Sequence, residues 1–108
     1  MPAVELHVER DPGITLTPSV ASALGLALRE AVTNVVRHAG AKHCTVALRR
    51  DGDRVVLEVR DDGIGESAPE GHGLTGMRER IAAIGGEVSR RTGNGTALTV
   101  AVPAAVAT

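Results

Sequence analysis

Residues 28–41, LREAVTNVVRHAGA, leave this chain little choice of architecture. Leu24, Leu28, Ala31 and Val35 recur at helical spacing and form one apolar stripe, which has to be buried against another layer. Glu30, Asn34 and His38 are spaced four and four, with Arg37 just before the last, so a helix carries them along the neighbouring face. One edge of this helix packs. The edge beside it presents a carboxylate, a carboxamide, a guanidinium and an imidazole. Such a set suits a hydrated divalent cation and its attached phosphates. Mg²⁺ takes oxygen ligands and keeps several waters, so one Asn oxygen suffices when a substrate supplies the rest. Spaced polar residues on a helix are more often simply solvated. The cation reading therefore needs support from other segments of the chain.

Upstream, residues 4–9 alternate apolar and polar, which predicts a half-buried strand with a solvated His7 on its wet face. Thr17 before Pro18 predicts a helix N-cap, and Gly40 a left-handed stop after a helix running to about Ala39. Residues 44–50 and 54–60 read as two strands joined around Asp51-Gly52, a strong hairpin signal. In the second strand Val55, Leu57 and Val59 share a face, and Asp61 falls in phase with them. A strand that persists carries the Asp61 carboxylate inward, where it needs donors. Asp62-Gly63-Ile64-Gly65 comes directly after it, its glycines allowing backbone to pass close to a guest.

A second helix opens at Gly71-His72-Gly73-Leu74 and ends at Gly85-Gly86, with Leu74, Met77, Ile81 and Ile84 at helical spacing. The last hairpin turns through Gly93-Asn94-Gly95, and Thr96 lies in phase with Leu98, Val100 and Val102 on the return strand. The order β-α-β-β-α-β-β predicts an α/β two-layer sandwich. Its mixed, mostly antiparallel sheet would be covered on one face by the helices, with a pocket between the layers.

Composition narrows the function. One domain of 108 residues, 43% hydrophobic and 23% charged, has a modest core. It contains no Phe, Tyr or Trp, so aliphatic side chains build that core and no aromatic platform exists for single-stranded nucleic acid. A net charge of −1 gives no electrostatic footprint for DNA or an anionic membrane. Cys44, alone, reads as a buried structural cysteine. No apolar run approaches membrane-spanning length and Met1-Pro2-Ala3 opens no signal peptide, so a cytoplasmic location is expected.

Gly71, Gly73 and Gly76 match G-x-G-x-x-G literally, but no strand leads directly into them and an antiparallel hairpin comes after, which argues against a dinucleotide fold. What survives is a glycine-rich loop at a helix N-terminus, whose N–H groups suit phosphate. His38 and His43 lack zinc-site spacing, and no serine sits in a nucleophile elbow.

With these pieces in place the chain resembles the ATP-binding catalytic domain of a two-component sensor histidine kinase, a Bergerat fold of the GHKL superfamily. Residues 30–39 resemble the family's N box, 61–65 its G1 box and 71–74 its G2 box, while Gly95-Thr96 matches a further position. The continuation Gly76-Met77-Arg78-Glu79-Arg80-Ile81 resembles the subfamily of nitrate and lipid-desaturation sensors, which work with helix-turn-helix response regulators. The resemblance implies Mg²⁺ on Asn34 and the adenine amino group on Asp61, with Thr96 supporting the base. Gly63 and Gly65 would give backbone access, Gly71 and Gly73 would form the flexible lid, and His72 and Leu74 of the same box would lie at the nucleotide. Arg37 and His38 would face the phosphates, and Glu30 would activate water or orient the magnesium shell.

None of His7, His38, His43 or His72 lies in a phosphoacceptor context. The expectation is a catalytic domain over residues 1–108, monomeric by itself, that binds Mg-ATP but cannot label itself. It would donate to a histidine on a dimerisation domain of a homodimeric parent, with membrane anchoring of that parent left open, and contact neither nucleic acid nor membrane. An anti-sigma-factor serine kinase and a nucleotide-sensing module without transfer are the alternatives.

Overall fold

The computed structural model describes residues 4–63 and 72–104, apart from the side chains of His38, Ala39 and His72. In order along the chain lie β1 (Glu5–Arg10), α1 (Pro18–Asn34), a π-helical turn (Val35–Ala39), β2 (His43–Asp51), β3 (Arg54–Asp61), α2 (His72–Ala83), β4 (Glu87–Gly93) and β5 (Gly95–Pro103). The strands form one sheet in the order β1-β2-β3-β5-β4, with β1 parallel to β2 and the other pairs antiparallel. This is the expected two-layer sandwich.

Local chemistry sets the frame. Thr17 is extended, its hydroxyl accepts the Val20 N–H at 3.4 Å, and Pro18 takes the first helical position. From there α1 buries Val20, Leu24, Ala27 and Ala31, and α2 buries Leu74, Met77 and Ile81. Both stripes pack on the same face of the sheet, against Val55, Leu57 and Val59 of β3 and Leu98, Val100 and Val102 of β5. Without aromatic rings, Met77 is the largest fully buried side chain, and its unbranched thioether fills the space between layers.

One expectation is corrected and another refined. The alternating pattern predicts a half-buried first strand, yet all six residues of β1 are exposed, Leu6 by 53% and Val8 by 63%. Those two side chains share the face of Cys44 and Val46, their partners on β2. But α1 packs chiefly over β3 and β5, and α2 over β4, so the edge strand lies outside their cover. The first helix runs to Ala39 and stops at a left-handed Gly40 as expected, but not as an α-helix throughout. Its α-helical part stops at Asn34, and the π turn beyond it ends at Gly40, in the left-handed region at φ 61°.

Candidate functional site

The polar edge of α1 ends beside the start of α2. Glu30 is half-buried, and its carboxylate lies so close to Gly73 that any side chain there would displace it. Asn34, one turn further, is exposed, as is Arg37 within the π turn. In a π turn the hydrogen bonds reach five residues instead of four. The α-helical course that stacks Asn34 under Glu30 therefore holds only as far as Asn34.

The other half of the site is the end of β3. Asp61 is in phase with the buried Val55, Leu57 and Val59 and is itself half-buried. In the sheet it lies between Cys44 of β2 and Thr96 of β5, so a carboxylate and a hydroxyl stand side by side at the rim of the core. The Asp61 carboxylate accepts the Gly63 N–H at 2.8 Å, which folds the chain sharply after the strand. Its charge and the burial around Cys44 together push the Cys44 thiol up, burial contributing more. Gly95, at φ 97°, fits against the Asp61 carbonyl, where no Cβ has room.

Asp62, next along, turns to the opposite side and holds the start of β2. Its Oδ1 accepts the N–H groups of Lys42 and His43 at 2.8 and 2.9 Å, and its Oδ2 lies 2.6 Å from His43 Nδ1. These bonds lower its carboxyl from 3.8 to about 2, the His43 backbone N–H contributing most. In return, the Asp62 carboxylate raises the His43 imidazole above its ordinary 6.5. Sequence reading missed this cluster. Counting back along the hairpin from the Asp51–Arg54 pair sets His43 opposite Asp62, so the register carried the signal.

The structure thus brings Glu30 to Gly73, and Asp61 to Gly63 and Thr96, while Leu74 is buried in the core. Gly65, Gly71 and the side chains of His38 and His72 lie outside the described residues. Among the described residues no three His, Cys, Asp or Glu side chains gather as a cation site. An exposed Asn34 carboxamide instead fits a cation that keeps its water and takes most remaining ligands from a bound phosphate, which is the habit of Mg²⁺. Among the described residues no helix is long and apolar enough to cross a membrane.

Comparison with known proteins gives this arrangement its context. Residues 19–106 match the family described as histidine kinase-, DNA gyrase B-, and HSP90-like ATPase. The sensor histidine kinase DesK of Bacillus subtilis is 49% identical over 84 residues, covering 74% of this chain and 23% of its own length. The nitrate/nitrite sensor protein NarQ of Escherichia coli is 41% identical over 81 residues, covering 68% of this chain and 14% of its own. The chain thus spans about a quarter or less of these relatives. Among solved structures, the histidine kinase domain of the Erythrobacter litoralis blue-light activated kinase superposes with a TM-score of 0.83 at 22% identity, over 97% of this chain and 54% of its own. That likeness establishes the fold. The matched residues span both helices and reach through β5; with sensor histidine kinases as its relatives, the chain belongs to the histidine kinase-, DNA gyrase B- and HSP90-like ATPase family.

Proposed function

We propose that this domain binds Mg-ATP between its sheet and helices and donates the γ-phosphoryl group to a histidine on a dimerisation domain outside the chain. The observation that carries the reading is Asp61, an inward carboxylate at the end of β3 beside the Thr96 hydroxyl. A carboxylate so placed accepts a hydrogen bond from an exocyclic amine, as adenine offers, and Thr96 supports the base. Gly63 and Gly65 would let the backbone pass the nucleotide, and Gly71, His72 and Gly73 would line the phosphates, with Leu74 anchoring this segment in the core.

Asn34 would hold Mg²⁺, which would supply positive charge to offset that of the phosphates. Arg37 would add positive charge and His38 a hydrogen bond at the γ-phosphoryl group, and Glu30 would orient the polar shell from α1. In the transfer the bond from the γ-phosphorus to the bridging oxygen breaks and a phosphorus–nitrogen bond forms on the acceptor imidazole. The imidazole gives up a proton and ADP leaves. The protein's share is alignment and charge stabilisation. A response regulator, with a helix-turn-helix output domain in the subfamily resembled, would take the phosphoryl group next.

Titration calorimetry with a non-hydrolysable ATP analogue tests the pocket. Binding should require Mg²⁺ for full strength and weaken about tenfold or more in Asp61→Asn, the scale of a hydrogen bond to a charged group. An unchanged Asp61→Asn would sink the assignment. The isolated domain, given labelled ATP, should not label itself, whereas adding the relative's dimerisation domain in trans should yield phosphohistidine.

A further inference from the structure

We propose that Asp62, clasped by His43, is a positioning residue for the Asp61 base site, and that protonation of His43 tunes affinity for the adenine nucleotide. This rests on Asp61 being the carboxylate that meets the base.

Two neighbours in sequence point in opposite directions here. Side chains at the end of a strand alternate, so Asp61 points inward and Asp62 outward. Asp62 is tied to β2 by four bonds: two from the Lys42 and His43 backbone N–H groups to Oδ1, one between Oδ2 and His43 Nδ1, and its own N–H to the His43 carbonyl at 3.2 Å. The next residue, Gly63, donates back to the Asp61 carboxylate. Asp61 is therefore followed by two anchored residues, and any swing of Asp62 is passed through Gly63 to the carboxylate that would meet the base.

His43 extends the clasp to the sheet edge. Its Nε2 lies 3.5 Å from Glu5 Oε2 on β1, and the Glu5 N–H donates to the Lys42 carbonyl at 2.8 Å. The charged groups around this imidazole are Asp62 just after β3, Glu5 on β1 and Lys42 just before β2. Both carboxylates favour the imidazolium and Lys42 opposes it; the net effect is a pKa above 6.5. An imidazolium donates through both ring nitrogens, whereas the neutral ring carries one N–H. Loss of the proton thus frees either Asp62 or Glu5 from His43. The clasp is solvent-exposed, so its effect is modest, on the order of two- to fivefold in affinity.

The test is calorimetry with Mg²⁺ and a non-hydrolysable ATP analogue, from about one pH unit below to two above the ordinary imidazole value. It compares wild type with Asp61→Asn, Asp62→Asn and His43→Gln, whose amide donates without titrating. Asp62→Asn should weaken binding about two- to fivefold. The wild-type affinity relative to His43→Gln should fall as pH rises, a ratio from which the nucleotide's own titration cancels. A merely structural clasp would leave that ratio flat. If Asp61→Asn weakens binding while Asp62→Asn matches wild type or the ratio stays flat, this inference alone is overturned. If Asp61→Asn matches wild type, the reading of Asp61 fails and the inference with it. Both His43 and Asp62 are exposed, and circular dichroism confirms that the variants are folded.

Discussion

Two glycines of the site look alike in sequence and behave differently in the fold. Gly95 adopts φ 97°, and a Cβ there would meet the carbonyl of Asp61, a backbone atom with nowhere to move. Gly95→Ala should therefore cost on the order of 2–4 kcal/mol, from left-handed strain plus the clash. The denaturation midpoint would show it, and nucleotide binding should weaken with it because the displaced atom belongs to Asp61. A midpoint within error of wild type would mean the β4–β5 turn relaxes freely. Gly73 lies in α2 with ordinary helical geometry, and a Cβ there would meet only the movable end of the Glu30 side chain. Gly73→Ala should leave stability within about 1 kcal/mol, since alanine also favours the helix. It should nevertheless lower phosphoryl transfer to an added acceptor by moving Glu30. The inward placement of Asp61 was legible, because strand alternation alone requires it. The Glu30–Gly73 contact was not, because it depends on how two helices far apart in sequence come together.

At the scale of elements, legibility followed the strength of local chemistry. Asp51-Gly52 marked the β2–β3 hairpin and Gly93-Asn94-Gly95 the β4–β5 turn, and both hairpins form there. Thr17-Pro18 marked the start of α1 with a mechanism attached: a hydroxyl that accepts an otherwise orphaned N–H. Thr17→Ala should accordingly lower stability by about 0.5–1 kcal/mol, towards the low end of capping effects because the bond is long at 3.4 Å. Urea unfolding would show the loss as a lower midpoint at unchanged slope. An unaltered midpoint would assign the start of α1 to Pro18 and packing instead. The other end was read correctly as a left-handed Gly40, but the π character of the turn before it was not legible, for a physical reason. A π turn changes the hydrogen-bond reach without changing residue propensities, so Val35, Val36 and Arg37 still read as helix. The first strand was misjudged because alternation reports which side chains share a face, and not whether a second layer reaches that face.

For the whole molecule, pH is the lever that separates the clasp from the core. The net charge of −1 makes general self-repulsion small near neutrality, so individual groups with shifted pKa values dominate the profile. Asp62 is lowered from 3.8 to about 2. Its contribution is fully present above the unfolded value and disappears as pH falls towards 2. His43 is raised, so its contribution is present below 6.5 and disappears as pH rises through the folded value. The two overlap between about 4 and 6.5, on the acid side of neutrality. Asp62→Asn removes the carboxylate from both sides of this balance. The difference in melting temperature between wild type and Asp62→Asn should thus be largest in that window. It should shrink as pH falls towards 2, where the wild-type carboxyl is becoming protonated. Above the His43 pKa it should narrow without vanishing, because a charged Asp62 still accepts the Lys42 and His43 backbone N–H groups. A difference that stayed constant across the whole range would show that asparagine acts through shape alone.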